Sequence, residues 1–363
     1  MKFLSGPLPT LQNPPRTCSA RHLDLGLPNG NQPGTRRIDA GGLAERQRKR
    51  EPDIQSGWVL FVTLAPAASC VPKYALLRYE PGNLGDEIQT IAARKFLPSI
   101  DVYLHRDHLH RTPPGPFRDV RLILNGWFTH HPENWPPHPW LRPLITSFHL
   151  SLSRPPRWRV RPPMPDTLLQ GANGEYLRRH GPIGARDLWT LDLLQRHGID
   201  SYHSGCLTLT LDRPDQAASG DYIVANDVDP AVVRAMRQRA KAPVVLTTHA
   251  SRWLRGNHRR IRKAEDLLRL YAGAKGVVTS RLHCALPCLA YGTPVLLLTG
   301  HDDPHRFSGP RDMLRHCSPG EFLADQADFS LTAPSANPSG HLVYRDLLEA
   351  RCRRFVAAPS VDG

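Results

Sequence analysis

Long apolar runs and paired cysteines are both missing from this sequence of 363 residues. A membrane-spanning helix needs about 20 consecutive apolar residues, and the longest candidate, residues 58–68, falls well short of that length. The seven cysteines are odd in number and scattered, without a CxxC pair. Neither a disulfide framework nor a structural zinc site is therefore expected. These absences predict a cytoplasmic protein that is soluble, or at most peripheral at the inner face of the membrane.

Lysine is also scarce, since it supplies only 7 of the 47 basic residues and leaves 40 arginines. The formal net charge of +14 favours a polyanionic partner, and nucleic acid, anionic lipid and a phosphorylated substrate all qualify. The high arginine content, together with 36 prolines, is also what a GC-rich genome produces. The charge therefore does not choose among these partners.

Residues 1–72 are rich in Pro, Gly, Asn and Arg and show no sustained apolar period. They are predicted to be a disordered extension. Within them, a basic run at 46–50 precedes an apolar stretch at 58–70, an order that resembles a signal peptide but lies far from Met1. Two interpretations stay open: an upstream extension translated from a misassigned start codon, or a targeting or membrane-contacting arm.

From residue 74 onward, short apolar runs alternate with amphipathic helical stretches, which is typical of a parallel sheet with crossover helices. The first series predicts an N-terminal lobe over 73–215. Its predicted strands are 74–79, 121–124, 145–149 and 201–206, and its predicted helices are 86–96 and 188–197.

A second series follows the turn-rich linker 212–220 and predicts a C-terminal lobe over 216–335, with 336–363 left as a tail. Its predicted strands are 221–225, 244–248, 276–279 and 294–298, and its predicted helices are 230–240, 258–272 and 282–291, the last ended by Gly292. The fold class is therefore α/β, with two lobes that are joined by a short linker. Ligands are expected in a cleft at the carboxyl ends of the strands.

The loop 81–87 (PGNLGDE) lies between a predicted strand and helix. Its backbone N–H groups and the helix dipole can hold an anion or a sugar hydroxyl. It is not a GxGxxG fingerprint, and a purely structural alternative is that Gly82 and Gly85 permit a tight turn while Asp86 caps the helix. The spacing alone favours the structural interpretation.

Three further sites lie at the end of a predicted strand or at the start of a predicted helix. Arg281 and His283 begin a helix, so a guanidinium, an imidazole and a helix N-terminus can converge on an anion. Arg186 precedes Asp187, which can cap the next helix. His149 ends an apolar strand. The alternatives are a solvated Arg281, an Arg186–Asp187 surface pair and a satisfied core histidine, respectively.

Two other segments carry charge. Asp302 and Asp303, between two histidines, can bind a divalent cation or simply solvate an exposed loop. The basic stretch 252–263 with Trp253 is similar to a phosphate or nucleic-acid patch. The following apolar positions 267, 268 and 271 favour instead the charged outer face of a packed helix.

Six short motifs in order resemble the polysaccharide pyruvyl transferase family, over residues 74 to 329. The motifs are 83–87 (NLGDE), 126–127 (GW), 147–149 (SFH), 184–187 (GARD), 204–208 (SGCLT) and 278–283 (VTSRLH). The resemblance implies a fold of two Rossmann-like lobes, similar to GT-B glycosyltransferases. It also implies phosphoenolpyruvate as donor, bound on the side of the C-terminal lobe. A hexose of a bacterial surface glycan, free or lipid-linked, is the implied acceptor on the N-terminal side.

The same resemblance implies the site residues. Those expected around phosphoenolpyruvate are His149, Arg186, Arg281 and His283. Those expected in the acceptor loop region are Asn83, Gly85, Asp86 and Gly126. Histidines titrate near neutrality, so His283 is expected to protonate the donor or assist phosphate departure, and His149 or Asp86 to deprotonate the acceptor. No cofactor is expected, and dependence on a divalent metal is left open.

Three alternatives accompany this hypothesis. A GT-B glycosyltransferase would use Arg281 and His283 to contact the diphosphate of a nucleotide sugar. A nucleic-acid-binding protein would account for the charge, although aromatic and basic residues do not interleave in a recognised pattern, so no specific nucleic acid is expected. An inactive member would only assist glycan assembly. The proline-rich segments 132–143 and 154–165 are expected to shape the acceptor side.

Overall fold

The structure is a computed structural model that describes residues 72–359, except 116, 118, 129–130, 152–163, 216, 218 and 301–303. The predicted disordered extension therefore lies outside the described residues, apart from Pro72. So do most of the proline-rich segment 154–165 and the acidic pair Asp302 and Asp303.

The apolar runs of the N-terminal lobe form a six-stranded, fully parallel sheet. Its strands are β1 (Lys73–Arg78), β2 (Val102–His105), β3 (Val120–Trp127), β4 (Leu141–His149), β5 (Ile183–Ala185) and β6 (Ser201–His203). Their order is β2-β1-β3-β4-β5-β6. Consecutive residues such as Leu76 and Leu77 are both buried, as expected for strands covered on both faces. The predicted strand 201–206 is shorter, ending at His203.

The helices of this lobe are α1 (Leu84–Arg94), α2 (Met164–Leu169), α3 (Gly171–Arg179) and α4 (Leu188–Arg196). α1 begins two residues before the predicted start, because Asn83 and not Asp86 caps it. The Asn83 backbone is extended, and its Oδ1 accepts a hydrogen bond of 3.1 Å from the Gly85 N–H. Asp187 caps α4 as predicted, accepting from the Thr190 N–H at 2.9 Å.

The C-terminal lobe contains a second parallel sheet in the order β11-β10-β9-β7-β8. Its strands are β7 (Ile223–Asn226), β8 (Val244–Thr247), β9 (Gly276–Thr279), β10 (Val295–Leu298) and β11 (Arg315–Cys317). Its helices are α5 (Pro230–Arg239), α6 (Asn257–Gly273), α7 (Leu282–Tyr291) and α8 (Pro319–Leu323). α7 ends at Gly292 with φ 71°, which confirms the predicted stop.

Both sheets place their first strand between the second and the third, which creates a topological switch point at the carboxyl edge of each sheet. This is the predicted α/β fold with two Rossmann-like lobes. Among the described residues, no helix combines the length and the apolar character needed to cross a membrane.

The described parts of both lobes belong to one compact unit and share a core built from α1, α6 and α7. Arg260 of α6 is 2% exposed. Its Nη2 lies 2.7 Å from Glu87 Oε1, and its Nη1 donates to the Tyr79 carbonyl oxygen at 2.9 Å. The interpretation of 252–263 as an outer helix face is therefore wrong at Arg260, which joins the two lobes.

Residues in the predicted tail form a long packed helix, α9 (Leu342–Ala357). Leu348 and Cys352 are fully buried on its inner face. Arg121 of β3 donates from Nη1 to the carbonyl oxygens of Phe355 and Val356, at 3.3 and 3.0 Å. The end of the chain thus returns from the C-terminal lobe to the N-terminal sheet.

Candidate active site

The carboxyl edge of the N-terminal sheet brings His149 and Arg186 together. Phe148 pairs with Ala185 in the register of β4 and β5, so the next residue of each strand lies at the same edge. The Arg186 N–H donates to the Phe148 carbonyl oxygen at 2.8 Å. Two residues that are far apart in sequence therefore become neighbours because their strands are adjacent.

His149 forms a buried dyad with Asp187. His149 Nδ1 lies 2.6 Å from Asp187 Oδ2. Burial lowers the pKa of His149 to about 4, and the nearby Arg186 charge adds to this effect. Burial opposes ionisation of Asp187, but the hydrogen bond from His149 and the Arg186 charge keep the pKa of Asp187 below its usual range. A neutral His149 thus donates from Nδ1 to a carboxylate, which leaves Nε2 as the basic nitrogen.

Arg186 is a buried cation with unfilled hydrogen-bond donors. Its side chain is 2% exposed, and neither Nε nor Nη2 has a hydrogen-bond partner among the described residues. Asp187 Oδ2 is 3.6 Å from Nε, too far for a hydrogen bond. Because a buried guanidinium is costly unless it is paired, this arrangement is suited to an anionic ligand.

His283 lies in the first turn of α7, in the C-terminal lobe, and belongs to the same region as His149 and Arg186. It is 4% exposed, and its Nε2 has no hydrogen-bond partner in the described part of the chain. Burial holds the pKa of His283 well below its usual value, and the positive charges of Arg186 and Arg306 lower it further. A neutral imidazole therefore lies among cationic groups, next to a helix N-terminus that also favours negative charge.

Gly85 allows α1 to lie against His283. A Cβ atom at position 85 would lie 2.8 Å from His283 Nδ1, closer than side-chain contacts allow. Gly126 serves a different purpose, since its φ is 111° and a Cβ there would lie 2.9 Å from Gln89 Nε2. Gly85 therefore adjoins the histidine and Asn83 caps the helix beside it, whereas Gly126 supports the packing of β3 against α1.

Asp86 faces a different partner from the other predicted residues. Its Oδ2 lies 3.3 Å from Nη1 of Arg106, and the Arg106 guanidinium lies over the Tyr79 ring at 4.9 Å from the ring centre. The Asp86 carboxylate is thus engaged on the side of α1 that faces β2, not with His149 or His283.

Arg281 lies at the switch point of the C-terminal sheet and is already paired. Its Nε donates to Asp227 Oδ2 at 2.9 Å, while 41% of its side chain is exposed. Asp227 also accepts from the Thr248 hydroxyl and the His249 N–H. Arg281 is therefore held in place by its carboxylate partner, with part of the guanidinium directed to solvent.

Asp227 and His249 are two residues that the sequence analysis missed. Asp227 directly follows β7, so the rule that functional side chains follow strand ends could have found it. His249 is 1% exposed, and its Nε2 lies 3.0 Å from the Tyr271 hydroxyl. Burial lowers its pKa to about 4. Its positive charge, when present, would act on His283, and the charges of Asp227 and Arg281 act on His249 itself.

Metal-binding geometry is not found in the described part of the chain, where no group of three or more His, Cys, Asp or Glu side chains is placed to hold an ion. The predicted candidate pair Asp302 and Asp303 lies outside that part. Metal dependence therefore stays an open question.

Comparison with known proteins relates this region to a family. The family model described as polysaccharide pyruvyl transferase matches residues 174–302. A solved structure, titled as a functional uncharacterized protein from Klebsiella pneumoniae, is 12% identical, with a TM-score of 0.38, and the match covers 66% of this chain and 88% of that chain. A likeness of that strength supports no conclusion about function. The curated proteins contain no significant match.

The matched segment includes β5, β7, β9 and α7, and so carries Arg186, Asp227, Arg281 and His283. Residues 174–302 therefore match the polysaccharide pyruvyl transferase family that the sequence motifs predicted.

Proposed function

We propose that this protein transfers the pyruvyl group of phosphoenolpyruvate to a hexose of a bacterial surface polysaccharide, as a cyclic ketal, with release of phosphate. The observation that carries the proposal is Arg186, a buried guanidinium whose Nε and Nη2 have no hydrogen-bond partner among the described residues and whose charge acts on the buried His283. The family match over 174–302 supports the same reaction class.

Phosphoenolpyruvate carries two anionic groups, a carboxylate and a phosphate, and the site offers two arginines from different lobes. A planar guanidinium can bind either group through two hydrogen bonds. Arg186 would supply the buried contact and Arg281 the contact at the opposite lobe. The α7 N-terminus would add further positive potential.

The reaction balances with two acceptor hydroxyls and no cofactor. One hydroxyl oxygen bonds to C2 of the donor while a proton is added to the C3 methylene, which becomes a methyl group. The C2–O bond to phosphate then breaks, and the second hydroxyl oxygen bonds to C2. The two hydroxyl protons finish on the new methyl group and on the released phosphate.

His283 is assigned the acidic role and His149 the basic role. The negative charge of a bound donor would raise the pKa of His283 from its low value, so that it could take up a proton and deliver it to the donor. His149 is supported as the base because Asp187 fixes its Nδ1–H and leaves Nε2 to accept a proton from the acceptor. Asp86 stays the second candidate, with its carboxylate engaged by Arg106.

Incubating the purified full chain with phosphoenolpyruvate and a panel of galactose, mannose and N-acetylhexosamine acceptors tests this proposal. We expect phosphate release and a product whose mass has grown by one pyruvate ketal. His283→Ala should lose turnover, whereas His258→Ala, at an exposed position of α6, should not. Full turnover in both His283→Ala and Arg281→Ala would refute the site assignment.

A nucleotide-sugar glycosyltransferase is the second candidate, because one cavity suits a nucleotide. It has a volume of about 440 Å³ and lies at the ends of β7 and β8, lined by Asp227, Arg234 and Arg237 among others. Thermal stabilisation by nucleotide sugars, without stabilisation by phosphoenolpyruvate, would favour this activity. We expect the reverse result.

A further inference from the structure

Trp253 is the most exposed large apolar side chain of the described residues, with 73% of its surface accessible. It lies at the tip of a tight turn, in which the Leu254 N–H donates to the Ser251 carbonyl oxygen at 2.9 Å. Exposing an indole to water is unfavourable, so its position at the tip of an ordered turn calls for a partner.

Five exposed cations lie close to this tryptophan in the sequence. They are Arg252, Arg255, Arg259, Arg262 and Lys263. No acidic residue occurs between positions 251 and 264, and none of the five forms an ion pair with the described residues. The next two acidic side chains are engaged elsewhere, Glu265 with Arg94 and Asp266 with Arg269. We call Trp253 and these five cations the Trp253 surface.

The Trp253 surface is attached firmly to the rest of the molecule. The Ser251 N–H donates to the Gly82 carbonyl oxygen at 3.0 Å, and Asn83 pairs with Ala250 in an antiparallel bridge. The Arg260–Glu87 ion pair anchors the first turns of α6. Gly85, which lies against His283, is two residues from Asn83, so the antiparallel bridge connects the Trp253 surface to an element of the candidate active site.

We infer that the Trp253 surface docks on an anionic membrane. Tryptophan is enriched at membrane–water interfaces, where the apolar ring enters the acyl boundary. Clustered arginine and lysine side chains bind anionic lipid headgroups electrostatically. A nucleic acid is the weaker match, because a single exposed aromatic side chain cannot provide a stacking platform for successive bases.

This inference is independent of the transfer chemistry, although docking would bring a lipid-carried acceptor to the active site if the proposed function holds. It assigns the membrane contact to described, folded residues, whereas the basic run at 46–50 lies outside the described residues. The contributions of the Trp253 surface and of the basic run to membrane binding can be measured separately, because every variant tested keeps the whole N-terminal segment.

Co-sedimentation of the full chain with phosphatidylcholine vesicles, with and without phosphatidylglycerol, tests the inference. We expect binding only when phosphatidylglycerol is present, and weakening as salt is added. Arg255→Glu/Arg259→Glu should lower the partition coefficient by at least about tenfold. Trp253→Ala should lower the partition coefficient more than the double arginine variant does. It should also remove the blue shift of tryptophan fluorescence that accompanies vesicle binding.

A matched control has the same change in net charge at a distant place. Lys241→Glu/Arg354→Glu alters two exposed cations near the amino ends of the strands, on the edge opposite the active site, and should bind vesicles like the unmodified protein. Equal losses in both double variants would overturn the inference. So would absence of vesicle binding combined with double-stranded DNA binding that depends on the Trp253 surface.

Turnover with a soluble acceptor should be unchanged in the Trp253→Ala and Arg255→Glu/Arg259→Glu variants. If these variants bind vesicles normally but need much more soluble acceptor, the Trp253 surface binds glycan and the membrane inference is wrong. If the unmodified protein binds vesicles but transfers no pyruvyl group, only the proposed function fails.

Discussion

Two arginines, Arg186 at the candidate active site and Arg260 at the lobe interface, are both 2% exposed but differ in their partners. Arg260 has the Glu87 carboxylate at 2.7 Å and the Tyr79 carbonyl oxygen at 2.9 Å. The nearest carboxylate to Arg186 is that of Asp187, which lies 3.6 Å from its Nε, beyond hydrogen-bond distance, and is engaged with His149 and the Thr190 N–H.

This difference in partners distinguishes an arginine that stabilises the fold from one that is suited to binding a ligand. Burial of a guanidinium is tolerated when a carboxylate is buried with it, as at the lobe interface. At the candidate active site no described carboxylate is both free and within hydrogen-bond distance of Arg186, which suits this guanidinium to the negative charge of a ligand. Removing each arginine should therefore have opposite consequences for activity and stability.

Replacing Arg186 should have the largest effect on transfer. Arg186→Met removes the buried contact to the donor, and we expect turnover to fall about 10³-fold, the scale seen when a charge-stabilising donor is lost. The melting temperature should stay the same or rise, because a partly uncompensated buried charge disappears. A stability loss as large as that of an Arg260 variant would contradict the comparison.

Replacing Arg260 should chiefly affect stability. Arg260→Met leaves Glu87 buried without its partner, and breaking one side of a buried pair costs about 3–5 kcal/mol. Burial already raises the pKa of Glu87 to about 7 against the opposing Arg260 charge. Denaturant unfolding at pH 8, where Glu87 is ionised in the wild type, therefore measures the cost, which in the variant includes the protonation of Glu87. Glu87→Leu/Arg260→Met should recover most of the loss, and no recovery would argue against this ion pair as its source.

Gly85→Ala should impair transfer without unfolding α1. The new Cβ would lie 2.8 Å from His283 Nδ1, and a displacement of about 1 Å at a reacting group can cost about 10²-fold in rate. Alanine otherwise favours a helix over glycine, so the melting temperature should not fall greatly. Gly82→Ala is the control, because no atom lies within 4 Å of its Cβ position; equal turnover in both variants would contradict the contact.

Donor affinity should depend on pH through His283, with a smaller effect than the substitutions. The pKa of His283 is held well below its usual value in the free protein by burial and by neighbouring cations, and a bound anion raises it. The complex then carries more protons than the free protein, so Kd falls as pH falls through the bound-state pKa, by at most about tenfold per pH unit. Titrations between pH 8 and 6 should show this slope in the wild type but not in His283→Asn.

The sequence located the candidate site residues that follow strand ends, but it did not identify the residues with which they pair. Apolar runs located β4, β9 and the start of α7, and with them His149, Arg281 and His283. Short strands such as β2 and β5 were missed, because four and three residues carry little periodicity.

Partners were missed for a different reason. Asp187 was predicted as a helix cap, which it is, but its bond to His149 spans 38 residues. The Arg281–Asp227 pair spans 54 residues. Such contacts depend on the order of strands in the sheets, which residue spacing does not reveal.

Calorimetric titration of phosphoenolpyruvate into the wild type and Arg186→Met tests the central claim most directly. We predict saturable binding by the wild type, and no detectable binding by a variant that remains folded in the same buffer. Phosphoenolpyruvate binding of equal affinity in the two proteins would contradict the account, because the buried guanidinium would then not be the anion site.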